Sequence, residues 1–216
     1  MTPLATGARL YGILDAGYAA EEDFPRLAAS LLDGGVGILQ IRAKTWAPAR
    51  IVRVARAVAP LCHRAGVPLI LNDYPELVEE ACADGVHIGQ DDMPVEQARR
   101  LMPPGKLLGL STHSLEQARV AIARSPDYTG FGPLFATRTK PDYRPIGVTD
   151  IQSAVRESPH PVFCIGGIHR ENLAAVMAAG ARRVVIVSAI LQAPDPAAYC
   201  RDCVSLLQSV APESFP

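Results

Sequence analysis

The chain has 216 residues, 49% of them hydrophobic, which suffices for one sizeable core and falls within the length of an α/β barrel. Lys and Arg total 21 against 22 Asp and Glu, a formal charge of −1, so the footprint of a nucleic-acid binder is missing and any anion recognition has to be local. The apolar runs are short, none near the roughly 20 residues of a membrane span, and Met1 to Arg9 carry no secretory pattern, so the expected location is cytoplasmic.

Short apolar runs alternate with segments of helical period about eight times along the chain. Strands are expected over 10–14, 37–42, 69–71, 85–88, 107–110, 128–131, 162–165 and 183–187. Helices are expected over 24–32, 48–64, 76–83, 94–101, 115–124, 148–157, 170–179 and 195–208. Gly34, Gly66, Gly85 and Gly180 stand where helices give way to strands, and left-handed caps are expected there. Strict alternation implies parallel strands joined by right-handed crossovers. Eight units close into a (β/α)8 TIM barrel spanning 1–216 as one catalytic domain; an open doubly wound sheet is the competing arrangement. The longest irregular stretch, 133–147, follows the sixth strand, and a loop of that length in a compact chain points to function or motion.

In such a barrel, chemistry collects where the strands finish. At the second strand, Gln40, Arg42 and Lys44 share one face and Leu39, Ile41 and Ala43 the other. The apolar face suits the helix layer, so two cations and an amide converge on the barrel mouth and call for a phosphate or carboxylate. Snorkelling at the rim is the plainer alternative. The third strand ends Asn72-Asp73 and the fourth Gly89-Gln90-Asp91-Asp92. Taken singly, Asp73 reads as a turn residue and Asp91-Asp92 as a helix start. Carboxylates on adjacent strand ends can also share Mg²⁺ with substrate phosphates.

The fifth strand ends Ser111-Thr112-His113, where a hydroxyl can bond phosphate and His113 can titrate near neutral pH or serve as a cap. His87, inside the fourth strand, reads as a packed, hydrogen-bonded core residue. Thr137-Arg138-Thr139-Lys140 place hydroxyls and cations on the long loop, as an anion lid does; a solvated basic turn is the alternative. Gly166-Gly167 after the seventh strand and Val187-Ser188 after the eighth match the recurring phosphate site of the fold. The five cysteines are scattered; Cys200 and Cys203 have CxxC spacing but lie in the last helix without a second pair, and read as buried reduced thiols.

Six of these segments, in this order, resemble the thiamine phosphate synthase family: Leu39 to Lys44, Leu71 to Asp73, Gly85 to Asp92, Gly109 to His113, Gly132 to Lys140 and Ile165 to Ile168. The resemblance implies a transferase that condenses hydroxymethylpyrimidine diphosphate with hydroxyethylthiazole phosphate, releasing pyrophosphate. It implies Asp73 and Asp92 as Mg²⁺ ligands, with Arg42, Lys44, Asn72 and Lys140 on the leaving pyrophosphate. Gln40 and Ser111 would contact the pyrimidine, and Thr137, Thr139, Gly167, Val187 and Ser188 the thiazole phosphate. The catalytic set it implies is Arg42, Lys44, Ser111 and Lys140. The sequence departs from the family's pattern at the first strand end, Leu14 to Tyr18, where a Thr-Asp turn is common, and at Ala136, where proline is common. A thiazole tautomerase using His113, and a non-catalytic barrel that binds thiamine precursors, are the competing functions. The expected partners are small molecules, with neither nucleic acid nor membrane among them; a homo-oligomer is left open.

Overall fold

The structure, a computed structural model, describes residues 7–137 and 144–210. Eight strands form a closed barrel in sequential order: β1 (Leu10–Asp15), β2 (Ile38–Arg42), β3 (Leu69–Asn72), β4 (Gly85–Ile88), β5 (Leu107–Thr112), β6 (Tyr128–Phe131), β7 (Val162–Cys164) and β8 (Val184–Ile186). All pairs are parallel, and β8 returns to β1 through Leu10↔Val184 and Tyr11↔Val185. The barrel is therefore closed, and the open doubly wound sheet is excluded.

The two-residue period sorts every strand into two layers. Leu10 and Leu14, Leu39 and Ile41, Leu69 and Leu71, and Val86 and Ile88 pack outward against the helices. Tyr11, Ile13, Ile38, Ile70, Leu107, Tyr128, Phe163 and Val185 fill the barrel itself. Three of those interior residues are aromatic and meet edge to face, Tyr11–Phe163 at 5.5 Å and Tyr128–Phe163 at 5.7 Å, and form a plug beneath the mouth.

Around the barrel run α1 (Phe24–Asp33), α2 (Pro48–Ala65), α3 (Val95–Leu101), α4 (Leu115–Ala123), α5 (Ile151–Glu157), α6 (Arg170–Ala178), α7 (Ser188–Leu191) and α8 (Pro196–Gln208). Their limits follow from local chemistry. α2 starts on a proline, whose missing N–H costs nothing in the first turn, and stops at Gly66 in the left-handed conformation. Ser114 and Asp195 cap α4 and α8 by accepting the backbone N–H of Gln117 and Ala198.

Three expectations are corrected. No α-helix covers 76–83: a 3-10 turn at Pro75–Leu77 is followed by hydrogen-bonded turns such as Ala81 N–H to Leu77 O at 2.8 Å. Cys82 takes a positive φ of 54°, which a continuing helix excludes, and buried Val78, Ala81 and Ala83 anchor the segment on the core. Gly85 is not a helix cap but the first residue of β4, where a Cβ would overlap the backbone of Leu107 on the next strand. At the first helix end the positive φ falls on Gly35 rather than Gly34. No helix among the described residues is long and apolar enough to cross a membrane.

Candidate active site

The mouth at the carboxyl ends of the strands opens into a cleft of about 1030 Å³, including the space open to solvent. Gln40, Arg42, Lys44, Asn72, Asp73, Asp92, Ser111, Thr137, Gly167, Val187 and Ser188 all line it. Thr139 and Lys140, with Arg138, lie outside the described residues. Tyr11, His87, His113 and Tyr128 line the same cleft; of these only His113 was given a role from the sequence, in the competing tautomerase reading.

On β2 the apolar face packs on the helices and delivers the polar face to the cleft, as the period requires. Arg42 does not stand alone: its Nη1 donates to Asp15 Oδ2 at 2.7 Å, with the Asp15 side chain only 4% exposed. Asp15 is held in turn by the Gly17 N–H at 2.8 Å. Asp15 thus holds a cleft-lining side chain without lining the cleft itself, and it went unassigned in the sequence, although the departure from the family's pattern at Leu14 to Tyr18 pointed to this turn.

Lys44 Nζ lies 2.9 Å from Asp73 Oδ2. Burial pushes the Asp73 carboxyl above its ordinary value; Lys44 opposes that shift and the Asp92 carboxyl adds to it. Asp73 also has φ of 74°, a conformation that aspartate and asparagine tolerate better than most side chains. Asp92 Oδ2 accepts the Gly89 N–H at 2.6 Å, so the fourth strand end folds its carboxylate back toward the mouth. Asn72 Nδ2 is buried in the cleft wall with no hydrogen-bond partner. Two mutually repelling carboxylates, a lysine and an orphaned amide donor are the surroundings in which a divalent cation bound to an anion is favoured. Among the described residues no group of three or more His, Cys, Asp or Glu could hold a metal, so a cation here needs oxygens from a ligand as well.

Ser111 is tied at both its ends: Oγ to His87 Nε2 at 2.9 Å, and its carbonyl to Gln90 Nε2 at 2.5 Å. His87 is therefore hydrogen-bonded, as expected, but it faces the cleft rather than the core. His113 donates from Nδ1 to the Gly132 carbonyl at 2.5 Å, which orients the ring in the cleft wall. Across the mouth, Gly166 and Gly167 have φ of 99° and 64°, and a Cβ on Gly167 would meet Phe135 Cβ at 2.7 Å. Only glycine allows this close approach, which is locked by Phe135 N–H to Gly166 O at 3.0 Å and Asn172 Nδ2 to Gly167 O at 2.9 Å. Val187 caps α7, and Ser188 is its first residue. Cys200 and Cys203 are buried and free, and burial raises both thiols, Cys200 to about 12 and Cys203 to about 11.

A sequence model described as thiamine monophosphate synthase matches residues 10–190. The chain belongs to this family. A relative from Chloroflexus aurantiacus named thiamine-phosphate synthase is 41% identical over 200 residues, covering 92% of each chain. Another of that name from Roseiflexus sp. strain RS-1 is 40% identical, covering 96% of this chain and 88% of its own. Among solved structures, thiamine phosphate pyrophosphorylase from Pyrococcus furiosus superposes with a TM-score of 0.85 at 27% identity, covering 93% of this chain and 96% of its own. The 3-hexulose-6-phosphate synthase of Salmonella typhimurium shares the fold, with a TM-score of 0.70 at 17% identity over 93% of this chain and 99% of its own. Within the thiamine monophosphate synthase family the chain is a transferase.

Proposed function

We propose that the protein is a thiamine phosphate synthase acting as one catalytic domain. It joins hydroxymethylpyrimidine diphosphate to hydroxyethylthiazole phosphate, giving thiamine phosphate and pyrophosphate. The observation that carries this reading is that two different anion-binding environments share one cleft. Arg42, Lys44 and the orphaned Asn72 amide stand on one side, and the Gly166-Gly167 turn with the start of α7 on the other.

In this reading the bond between the pyrimidine methylene carbon and the diphosphate oxygen breaks first, and the electron pair leaves with pyrophosphate. The resulting cation is captured by the thiazole nitrogen, whose lone pair forms the new C–N bond. No strong protein base is required, since no C–H proton is removed. What the site must supply is charge for the leaving group, and removing one such donor typically costs roughly a hundred- to a thousand-fold in rate. Arg42 and Lys44 offer that charge once they exchange Asp15 and Asp73 for phosphate oxygens, with Lys140 as a further cation on the same group. Asn72 satisfies its amide on the diphosphate, and Gln40 and Ser111 hold the pyrimidine ring. Gly167, Val187 and Ser188 receive the thiazole phosphate through backbone amides, with Thr137 and Thr139 closing over it.

Asp73 and Asp92 would hold Mg²⁺, which when bound neutralises diphosphate charge as a Lewis acid. The fit rests on the raised Asp73 carboxyl beside Asp92, a pairing that a cation relieves.

The test is to supply both substrates with Mg²⁺ and follow pyrophosphate release and thiamine phosphate formation. Stoichiometric release supports the reading. Isomerisation of the thiazole without pyrophosphate makes the protein a tautomerase, for which His113 in the cleft is the acid–base candidate.

A further inference from the structure

Strand β7 runs out into a turn whose carbonyls are held one after another. Leu134 N–H donates to Ile165 O at 2.8 Å and Phe135 N–H to Gly166 O at 3.0 Å, so the backbone that follows β6 clamps the first two. The third, Gly167 O, is clamped by a side chain: Asn172 Nδ2, on α6, donates to it at 2.9 Å. Asn172 Oδ1 accepts the His169 N–H at 2.9 Å, so one amide spans the segment from Gly167 to His169. The two partners leave that amide a single orientation. A backbone N–H can only donate and a carbonyl can only accept, which sets Oδ1 toward His169 and Nδ2 toward Gly167.

A trans peptide is planar, and its N–H points opposite to its C=O. Holding the Gly166 and Gly167 carbonyls therefore turns the N–H groups of Gly167 and Ile168 the other way. Gly167 and Ile168 line the cleft, whereas Phe135 and Asn172, which hold the carbonyls, do not. Among the described residues neither of these two N–H groups has a protein acceptor. With φ of 99° at Gly166 and 64° at Gly167, the turn presents consecutive amide donors in the manner of an anion nest.

We propose that Asn172 is a positioning residue: by clamping Gly167 O it aims the Ile168 N–H, beside that of Gly167, at the phosphate of the thiazole substrate. The proposal rests on the synthase reading, in which this turn receives that phosphate. Of the three clamps it is the only one that a substitution removes, because the other two donors belong to the backbone. Without it the Gly167–Ile168 peptide turns more freely, and the phosphate has to order its own donor on binding.

The test compares wild-type protein with Asn172→Asp and Asn172→Ala. Calorimetry measures hydroxyethylthiazole phosphate binding with Mg²⁺ and pyrophosphate present, and pyrophosphate binding with Mg²⁺ alone. Aspartate keeps an acceptor for the His169 N–H, so α6 stays capped and the variant should melt within a few degrees of wild type. Its carboxylate cannot donate to Gly167 O. Both variants are expected to bind thiazole phosphate about tenfold more weakly, with pyrophosphate binding and kcat at saturating thiazole phosphate within about twofold of wild type. Raising ionic strength about tenfold should leave the aspartate variant's loss in place, since screening weakens a repulsion but restores no donor. If the alanine variant fails to fold, the aspartate variant with its salt series suffices. Unchanged thiazole phosphate affinity, a loss erased by salt, or a parallel loss of pyrophosphate binding would each overturn the role of Asn172 and leave the synthase reading standing. The expected pattern of binding in a protein that releases no pyrophosphate from both substrates overturns the assigned reaction instead and supports the role. Wild-type protein that binds no thiazole phosphate overturns both.

Discussion

In the proposed reaction the two sides of the mouth would hold anions by different means. On the β2 to β4 side the groups are charged side chains, and each already has a counter-charge: Arg42 with Asp15 at 2.7 Å and Lys44 with Asp73 at 2.9 Å. On the β7 and β8 side the lining, among the described residues, carries no charge; it is Gly166, Gly167, Val187, Ser188 and apolar neighbours. The first side has to exchange partners when a ligand arrives, and the second presents fixed backbone dipoles that need no rearrangement. Exchange suits a group that must be held more strongly as it leaves, because the interaction can grow along the reaction. Fixed dipoles suit a group that only has to be held in place.

The sharpest way to break this contrast is Asp73→Asn or Asp92→Asn. Asparagine tolerates the positive φ at position 73, so the fold should survive and melt within a few degrees of wild type. Turnover followed by pyrophosphate release should fall by about a thousandfold, with Mg²⁺ dependence weakened, and wild-type rates in either variant would remove that residue as a metal ligand. Gly167→Ala strikes the other side. Because the new Cβ meets Phe135 Cβ at 2.7 Å on a backbone of φ 64°, the KM for thiazole phosphate should rise about tenfold or more while that for the pyrimidine diphosphate changes little. A uniform loss for both substrates would show the sides to be one unit.

Asp15→Asn keeps an acceptor for the Gly17 N–H but removes the charge opposite Arg42. We expect kcat to fall about tenfold with a smaller change in KM, since the guanidinium loses its orientation more than its attraction. A kcat equal to that of wild type would reduce Asp15 to a counter-ion. Smallest of all is the response to salt. Raising ionic strength tenfold should increase the KM for the pyrimidine diphosphate about threefold and that for thiazole phosphate by less than about twofold, because screening acts on side-chain charges more than on buried dipoles. Equal responses would dissolve the distinction.

Most of the mouth was legible because its residues lie on strands of strict two-residue period. Once Leu39 and Ile41 are assigned to the helix layer, Gln40 and Arg42 have nowhere to go but the cleft. The Gly166-Gly167 pair and Asp73 announced themselves by residue type at a strand end. The missed residues are those whose role depends on a distant partner. Tyr11 and Tyr128 are 117 positions apart, and only barrel closure brings their hydroxyls together. Asp15 looked like a departure from a familiar turn, and its meaning came from the β1–β2 pairing that sets Asp15 beside Arg42. The helix expected over 76–83 failed for the opposite reason, because a good local pattern was interrupted by the positive φ at Cys82, which no periodicity announces.

The alternation along β2 also bears on how chains of this kind can vary. Inserting or deleting one residue within 38–42 would exchange the two layers, sending Leu39, Ile41 and Ala43 into the cleft and Gln40, Arg42 and Lys44 into the grease beneath α2. Such a change destroys binding and packing in one step, so no gradual path leads through it. Changes of length are tolerable only in the loops and the outer helices. Substitution, by contrast, can alter the chemistry of one strand end at a time and leave the other seven undisturbed.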